Sequence, residues 1–533
     1  MREHTAKIVI VGLMLLVVGV PFALRPRGAA GVSGVPETPT DYVGRLVIYT
    51  PHNEQIRLEM GAGFNRWRAA EGLGPIDFDW RASGGTSDLR RTILAQFESK
   101  ARQGRIDEGI GADLFFGGGE FDHDRIAGGV RVTVDGEETK EPVAVAPRLP
   151  DGLLDEALPN ETIGGEQLVH EEGLWVGTAL SSFGIVYNRD LLVMLDRPEP
   201  ASWRDLTHPA YRGWVALADP GHSGSISAAF NTVLRRQGWT EGWRTLRRVF
   251  ANARYFASSA SKVPVDVSSG EAAAGMCIDF YGRTQAGAVA AAGWSGDTAG
   301  VGISRLGYVD PVVDGKSMTA TTADPITLLR GAPNRETAEQ FVAWVLSKDA
   351  QRLWQTQLGT PLDEGGPLRF ELRRQPIRAD LFTADEKATW TDPEIDPYPT
   401  AVPILDGVPD FFGAVRAVTP AMGIHPHKDL TAAWAAIQRT PDDHPDKPEM
   451  LRRFDAMPEP LTLTWPTAEL DGGGWRVALS DPDHPLHQTA AETLAAFMDR
   501  LGSRSDDQEL KDQLAWTLFF RDNYRRIAAM GAR

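Results

Sequence analysis

The chain has one cysteine in 533 residues, Cys277, so no internal disulfide can form. Zinc knuckles and iron–sulfur centres, which need several thiolates, are excluded with it. Cys277 lies in the apolar run Ala274–Ile278 and reads as a buried thiol. Basic charge is also scarce: 55 Lys and Arg face 72 Asp and Glu, for a formal net charge of −17. That balance argues against a nucleic-acid surface or a polybasic membrane face. There is no G-x-G-x-x-G, no internal repeat and no low-complexity tract. Gly221–Ser225 comes close to the G-x-S-x-G of a nucleophile elbow, but Ser225 replaces its last glycine. His425 and His427 flank Pro426, which disrupts the helical pairing a metallohydrolase motif needs. The chain is therefore expected not to be an enzyme.

Long apolar runs are limited to the start. Arg2 and Lys7 precede Ile8–Leu24, and Arg25-Pro26-Arg27 follows. Residues 1–27 read as a signal segment or membrane anchor, and 28–43 as a Gly/Pro/Thr linker. Export is expected, with residues 8–24 either cleaved off or kept as an anchor. No cysteine nearby can carry a lipid.

Beyond the linker, strand and helix patterns alternate. Leu46–Thr50 reads as a strand, and Ile56, Met60, Phe64 and Trp67 form one helix face. Ile76–Trp80 is a second strand, followed by Ser83–Ser87 and a helix with Leu89, Ile93 and Phe97 inward. Ala112–Phe116 is a third strand, ending in Gly117-Gly118-Gly119-Glu120. This alternation predicts a mostly parallel sheet with ligand loops at the strand C-termini. Gly128–Pro150 reads as a hairpin excursion. Ala274–Ile278 is a strand followed by a loop at Asp279–Gly282. Thr319–Leu329 is a returning strand, and Arg335–Trp354 is one helix with a stripe from Ala338 to Leu353. In the last 160 or so residues, Thr431–Gln438 and Thr489–Gly531 look helical. Leu494, Phe497, Met498 and Leu501, then Leu510, Leu514, Leu518 and Phe519, are expected to face a core or a partner.

The most telling stretch is Ser181–Ser225. It reads as a strand at Gly184–Tyr187, a second at Trp214–Ala218, and a Pro-Gly-containing turn that opens a helix. Ile226, Ala229, Phe230, Val233 and Leu234 mark that helix's buried face. Ser223, Gly224 and Ser225 would sit at its start, where free N–H groups and the helix dipole favour an anion.

Six pieces in order carry a family resemblance: LVIYT, ADLFF, SSFGIVYN, SWRDLTHPAYRGWVALADPGHSGS, VSSGEAAAGMCIDFYG and DPITLLRGAPNRETAEQFVAWVLSKDAQRLW. From about Leu46 to Leu362 the chain resembles ABC-transporter substrate-binding proteins of the ferric-ion type, in the family 1 extracellular solute-binding group. The resemblance implies an α/β, two-lobe type II periplasmic-binding-protein fold with crossing strands, to which a mainly helical C-terminal extension is added. It implies lobe one at 44–173, lobe two at 174–300, a return to lobe one at 301–373 and the extension at 374–533. It also implies a periplasmic location, held to the inner membrane if residues 8–24 remain, with an ABC permease and its ATPase as partners.

The ligand implied is ferric ion with a companion anion, as transported cargo and not as a resident cofactor. His52, Glu120 and Tyr281 stand near the family's metal positions, although Phe280 occupies the place of a first tyrosine. Glu120–Asp124 reads either as part of a metal cluster or as acidic capping of the next helix. Related members bind phosphonates or sugar phosphates through Ser/Thr-rich helix starts. The candidates for such contacts are Ser83, Gly84, Thr86, Ser87, Gly118, Ser223, Gly224, Ser225 and Asp279. A competing reading is a non-transport sensor or scaffold that retains the binding fold.

Overall fold

The computed structural model describes residues 41–134, 137–292, 304–405, 407–502 and 506–531. The expected signal or anchor at 1–27, and the linker up to residue 40, lie outside the described residues. Among the described residues no helix is long and apolar enough to cross a membrane.

The chain enters at β1 (Gly44–Tyr49) and runs through α1 (Glu54–Ala70), β2 (Ile76–Arg81), α2 (Thr86–Arg102), β3 (Leu114–Phe116) and α3 (Glu120–Ala127). A hairpin of β4 (Val130–Val134) and β5 (Glu137–Glu141), the short β6 (Ala144–Val145), and a small hairpin of β7 (Thr162–Ile163) and β8 (Glu166–Gln167) follow. β9 (Val176–Ser181) belongs to this first lobe. After Ser182 alone, β10 (Phe183–Asn188) belongs to the second.

Lobe two adds β11 (Val215–Ala218), α4 (Gly224–Gln237), α5 (Trp239–Asn252), β12 (Ala253–Ala257), α6 (Lys262–Ser268), β13 (Ala274–Ile278), α7 (Asp279–Ala291) and β14 (Leu306–Val309). β15 (Thr322–Leu329) then crosses back, followed by α8 (Arg335–Val345), α9 (Lys348–Arg352) and β16 (Gln375–Pro376). The helical remainder contains α10 (Phe412–Thr419), α11 (His427–Arg439), α12 (Lys447–Asp455), α13 (Gly474–Ser480), α14 (His487–Gly502) and α15 (Asp506–Met530).

Sheet one has the order β16-β9-β15-β3-β1-β2, with β6 also on β15; sheet two has the order β12-β11-β13-β10-β14. Both are mixed, not mostly parallel as expected. β1, β2 and β3 pair parallel, as do β11, β12 and β13, because helices connect them on the sheet faces. The crossing strands enter antiparallel: β15 against β3 and β9, and β10 against β13 and β14.

Hydrogen bonding also moves the crossings. The first is at Ser182, not at residue 174, because β9 pairs with β15 in sheet one. The return comes after β14, which still pairs with β10. β16, beyond the expected end of lobe one at 373, pairs with β9.

Two local expectations are corrected as well. Asp279–Gly282 is the first turn of α7, not a loop. The single helix expected over Arg335–Trp354 breaks at Leu346-Ser347, where Ser347 caps α9 by accepting the Ala350 N–H at 3.4 Å. Its apolar stripe is nonetheless buried throughout.

The C-terminal helices pack on lobe two. Trp434 of α11 donates to Asn252 Oδ1 at 3.0 Å, and Trp239 of α5 donates to the Leu461 carbonyl at 2.8 Å. On α15 the buried residues are Trp516, Phe520, Tyr524 and Ile527. Leu510, Leu514 and Leu518, expected to face a core or a partner, are exposed and so do not face this chain's core. The helix turns its aromatic stripe inward because Phe520 and Tyr524 stack against the buried Phe454–Arg247 pair.

Candidate functional site

The site grows from the ends of the strands. β1 delivers Pro51 and His52, β3 delivers Gly117–Gly119, and β11 leads through Pro220-Gly221 to α4. These loops close a cleft of about 520 Å³ between the lobes. Of the residues expected there, His52, Gly84, Thr86, Gly118, Glu120, Ser223, Gly224, Ser225 and Tyr281 line it. Three do not. Ser83 lies outside the lining. Ser87 is buried behind it and accepts from Arg416 Nη2 at 2.6 Å. Asp279 is buried at the start of α7 and accepts the Phe280 N–H at 2.8 Å. Burial pushes the Asp279 carboxyl up to about 7, against the opposing pull of Arg283 and Arg374.

The floor is a network that sequence reasoning missed. Arg374 forms an ion pair with Asp324, Nη1 lying 2.9 Å from Oδ2 and 3.3 Å from His52 Nε2, and donates through Nη2 to Ser181 Oγ at 2.7 Å. His52 Nε2 lies 2.8 Å from the same Asp324 oxygen, and the Gly118 N–H donates to Asp324 Oδ1 at 2.7 Å. Burial opposes ionisation of Asp324, but Arg374, His52 and the Gly118 N–H together hold it at about 2. His52 is lowered by its burial, with Asp324 only partly offsetting this, so it is neutral near pH 7. The Asp324 contact then requires the proton on Nε2. Nδ1, buried and bonded to nothing, is left as an acceptor.

Asp324 reaches the cleft because β15 slips register against β9 between Ala323 and Pro325. A bulge re-aims one side chain, and Pro325, which cannot donate a ladder bond, is tolerated at such a point. Arg374 is delivered by the chain folding back over lobe one. The buried Glu59 accepts the N–H groups of Leu368, Arg369 and Phe370 at 2.6–2.8 Å and guides that return. The guanidinium then lies 4.6 Å from the Phe280 ring centroid. A signal was present for Asp324 alone, as Asp324-Pro325 inside an apolar strand.

Two helix starts face each other across the cleft. Ser223 caps α4 by accepting the Ile226 N–H at 3.3 Å, and no side chain caps α2 at Gly85. A Cβ on Gly85 would lie 2.0 Å from the His222 carbonyl oxygen, so the lobes are shut against each other here. Arg235 of α4 pairs with Glu166 of β8 at 2.5 Å across the same gap. Arg416 of α10 reaches Ser87 and Asp122 of lobe one and, at 3.4 Å, Ser227 of lobe two.

His52, Glu120 and Tyr281, expected to hold a metal, all line the cleft. Among the described residues no group of three or more His, Cys, Asp or Glu side chains is placed to hold a metal ion. His52 directs Nε2 to Asp324, and burial pushes the Tyr281 hydroxyl up to about 12. Burial raises the Glu120 carboxyl to about 8, and the charges of Glu166, Asp124 and Asp410 add to this. Its folded-state value therefore exceeds the unfolded one. The stability it contributes is full below the ordinary value of 4.5 and lost as pH rises through about 8. Glu120→Gln is expected to match wild type in thermal melts near pH 4.5 and to be more stable by about 1–2 kcal/mol at pH 8.5. A pH-independent difference would contradict this.

Residues 154–376 match the family model of the bacterial extracellular solute-binding proteins. That span takes in both crossings, all of sheet two and β16. The chain is 34% identical over 180 residues to the phosphoglycerate transport regulatory protein PgtC of Salmonella typhimurium, covering 33% of this chain and 40% of that protein. It is 28% identical over 174 residues to an uncharacterized protein of Haemophilus influenzae, covering 32% and 44%. The chain thus spans about two fifths of the length of these curated relatives.

Among solved structures, the periplasmic binding protein AfuA of Actinobacillus pleuropneumoniae with fructose-6-phosphate bound aligns over 74% of this chain and 98% of its own, at 19% identity and TM-score 0.47. Iron-bound HitA of Pseudomonas aeruginosa aligns over 68% and 93%, at 16% identity and TM-score 0.43. The matched family consists of solute-binding proteins, whose work is capture and not catalysis.

Proposed function

We propose that this chain captures a small phosphorylated organic anion by closing two lobes over it, as the solute-binding component of an exported transport system. The observation that carries the reading is the meeting of two helix starts, Gly85–Thr86 of α2 and Ser223–Ser225 of α4, in a cleft floored by Arg374. Backbone N–H groups and both dipole ends favour negative charge there. The Salmonella relative named for phosphoglycerate transport is in keeping with this chemistry. A permease and its ATPase would receive the ligand when the lobes reopen. Ferric ion is the weaker candidate, because the Salmonella relative is named for phosphoglycerate transport and His52 Nε2 is already bonded to Asp324.

Calorimetric titration with 3-phosphoglycerate and fructose 6-phosphate, beside ferric citrate, tests the reading. Saturable binding of at least one phosphate ester is expected, with none of ferric citrate. Ser223→Asp should weaken that binding at least ~100-fold, through like charge at a helix start. Undiminished affinity in that variant, or binding of ferric citrate alone, would overturn the reading.

A further inference from the structure

A second large cavity lies away from the cleft, where the C-terminal region covers lobe two. It measures about 690 Å³, which suits a small organic ligand. Trp203, Trp239 and Phe411 lie buried at its base. On one side the rings of Trp465 and Trp475 run nearly parallel, 10° apart with centroids separated by 6.2 Å. The Trp475 ring lies so close to Gly238 that a Cβ there would come within 2.5 Å of it.

The charge of the lining runs against that of the chain. Four arginines (204, 236, 244 and 476) face only two carboxylates, Glu241 and Asp471, in a protein of net charge −17. Glu241 is taken by Arg244 at 2.5 Å. Arg236 and Arg476 pair with no carboxylate among the described residues. Arg236 donates to the carbonyl oxygens of Pro403 at 3.0 Å and Thr319 at 3.2 Å, and its buried Nε donates to nothing. Arg476 donates to the Arg236 carbonyl and lies 4.6 Å from the Trp475 ring centroid. Burial lowers the Arg236 pKa to about 10; Glu166 works against this, and Arg235 and Arg476 add to it. Burial lowers Arg476 too. Neither guanidinium has a carboxylate in ion-pair contact, although Arg236 also donates to the Val402 carbonyl, so an anion joining them would offset part of the cost of their burial.

The neutral part of the lining suggests what carries that anion. Trp475 is buried between Trp465 and Arg476, so the half-buried Trp465 presents the indole face that would pack against the C–H face of a pyranose ring, whose hydroxyls then need partners at its edge. Ser202 and Thr240 offer hydroxyls there that bond to no described residue, and the backbone of Gly472 and Gly473 is open to approach from the cavity. From these features we infer that the cavity is a second binding site, for a saccharide unit bearing a carboxylate or sulfate. It stands apart from the cleft and does not depend on the cleft's ligand.

The test is calorimetric titration of the full chain with tetragalacturonate, with a sulfated heparin disaccharide, with the methyl ester of tetragalacturonate, and with benzoate. Saturable binding of at least one acidic sugar is expected, and the two acidic probes distinguish carboxylate from sulfate as its source. Arg476→Gln and Trp465→Ala should each weaken that binding at least tenfold, with thermal melts confirming that both variants fold. Ser223→Asp should leave it unchanged, which separates this site from the cleft. Equal affinity for the neutral ester, benzoate binding in place of the sugars, indifference to Arg476→Gln, or no binding of either acidic sugar would each overturn the inference.

Discussion

Arg374→Met is expected to lower the melting temperature by roughly 5–15 °C and to reduce phosphate-ester affinity by about 100-fold or more. The guanidinium is 1% exposed and holds both Asp324 and Ser181. With methionine in its place, Asp324 keeps only His52 and the Gly118 N–H in a buried setting. Removing one partner of a buried pair is far more damaging than never having built the pair, because the remaining charge stays desolvated.

The effect carries a pH signature. In the native protein Asp324 is held at about 2, below its ordinary 3.8, so its ionisation contributes stability above 3.8 that is lost as pH falls towards 2. Without Arg374, burial moves that carboxyl upward, and the loss should begin at a higher pH. Melts between pH 3 and 7 would show it. Arg374→Lys keeps the charge but cannot span two acceptors, so it should fall between the two. Matching melting profiles for Met and wild type would remove Arg374 from the account.

Gly85→Val should act on the closed state alone. The backbone at Gly85 has φ −79°, an angle any residue adopts, so valine introduces no local strain. Its Cβ would nevertheless meet the His222 carbonyl oxygen at 2.0 Å, and that oxygen belongs to the other lobe. Neither lobe's own core is touched. We expect melting within about 1 °C of wild type, since the substitution sits outside both cores. Closure should fail, and affinity for the phosphate-ester probe should drop by at least about 100-fold. X-ray scattering with saturating 3-phosphoglycerate would compact the wild type but not the variant. A variant that still compacts and binds would show that the lobes meet elsewhere than at Gly85–His222.

Most elements were readable from residue spacing. The five apolar residues assigned to α4 are all buried, and β13 spans the residues expected of it. Helix and strand periods are local properties, carried by side chains a few positions apart. Pairing direction is not local. The sheets came out mixed because β15 and β10 enter from the other lobe, β15 about 210 residues from β3 and β10 about 90 residues from β13. On α15 the choice of face went the same way. The leucines at 510, 514 and 518 make a helical stripe as good as the one used, and only the waiting Phe454 and Arg247 favoured the aromatic one.

The candidate site divides similarly. Loops following strands, and Ser-rich helix starts, could be read in order, and nine of the twelve expected residues line one cleft. Arg374 could not, because 50 residues separate it from Asp324 and no local pattern marks an arginine that a fold-back will bury. Arg416 and the second cavity depend on the C-terminal helices docking on lobe two, for which the one-dimensional pattern carries no address. Thus the amino-acid order alone determined the elements and the helix starts, which arise from short-range sterics and periodic burial, while the two-lobe plan was implied by the family resemblance. The tertiary structure alone decided which charges face each other, because buried ion pairs and closed clefts are set by contacts between distant segments.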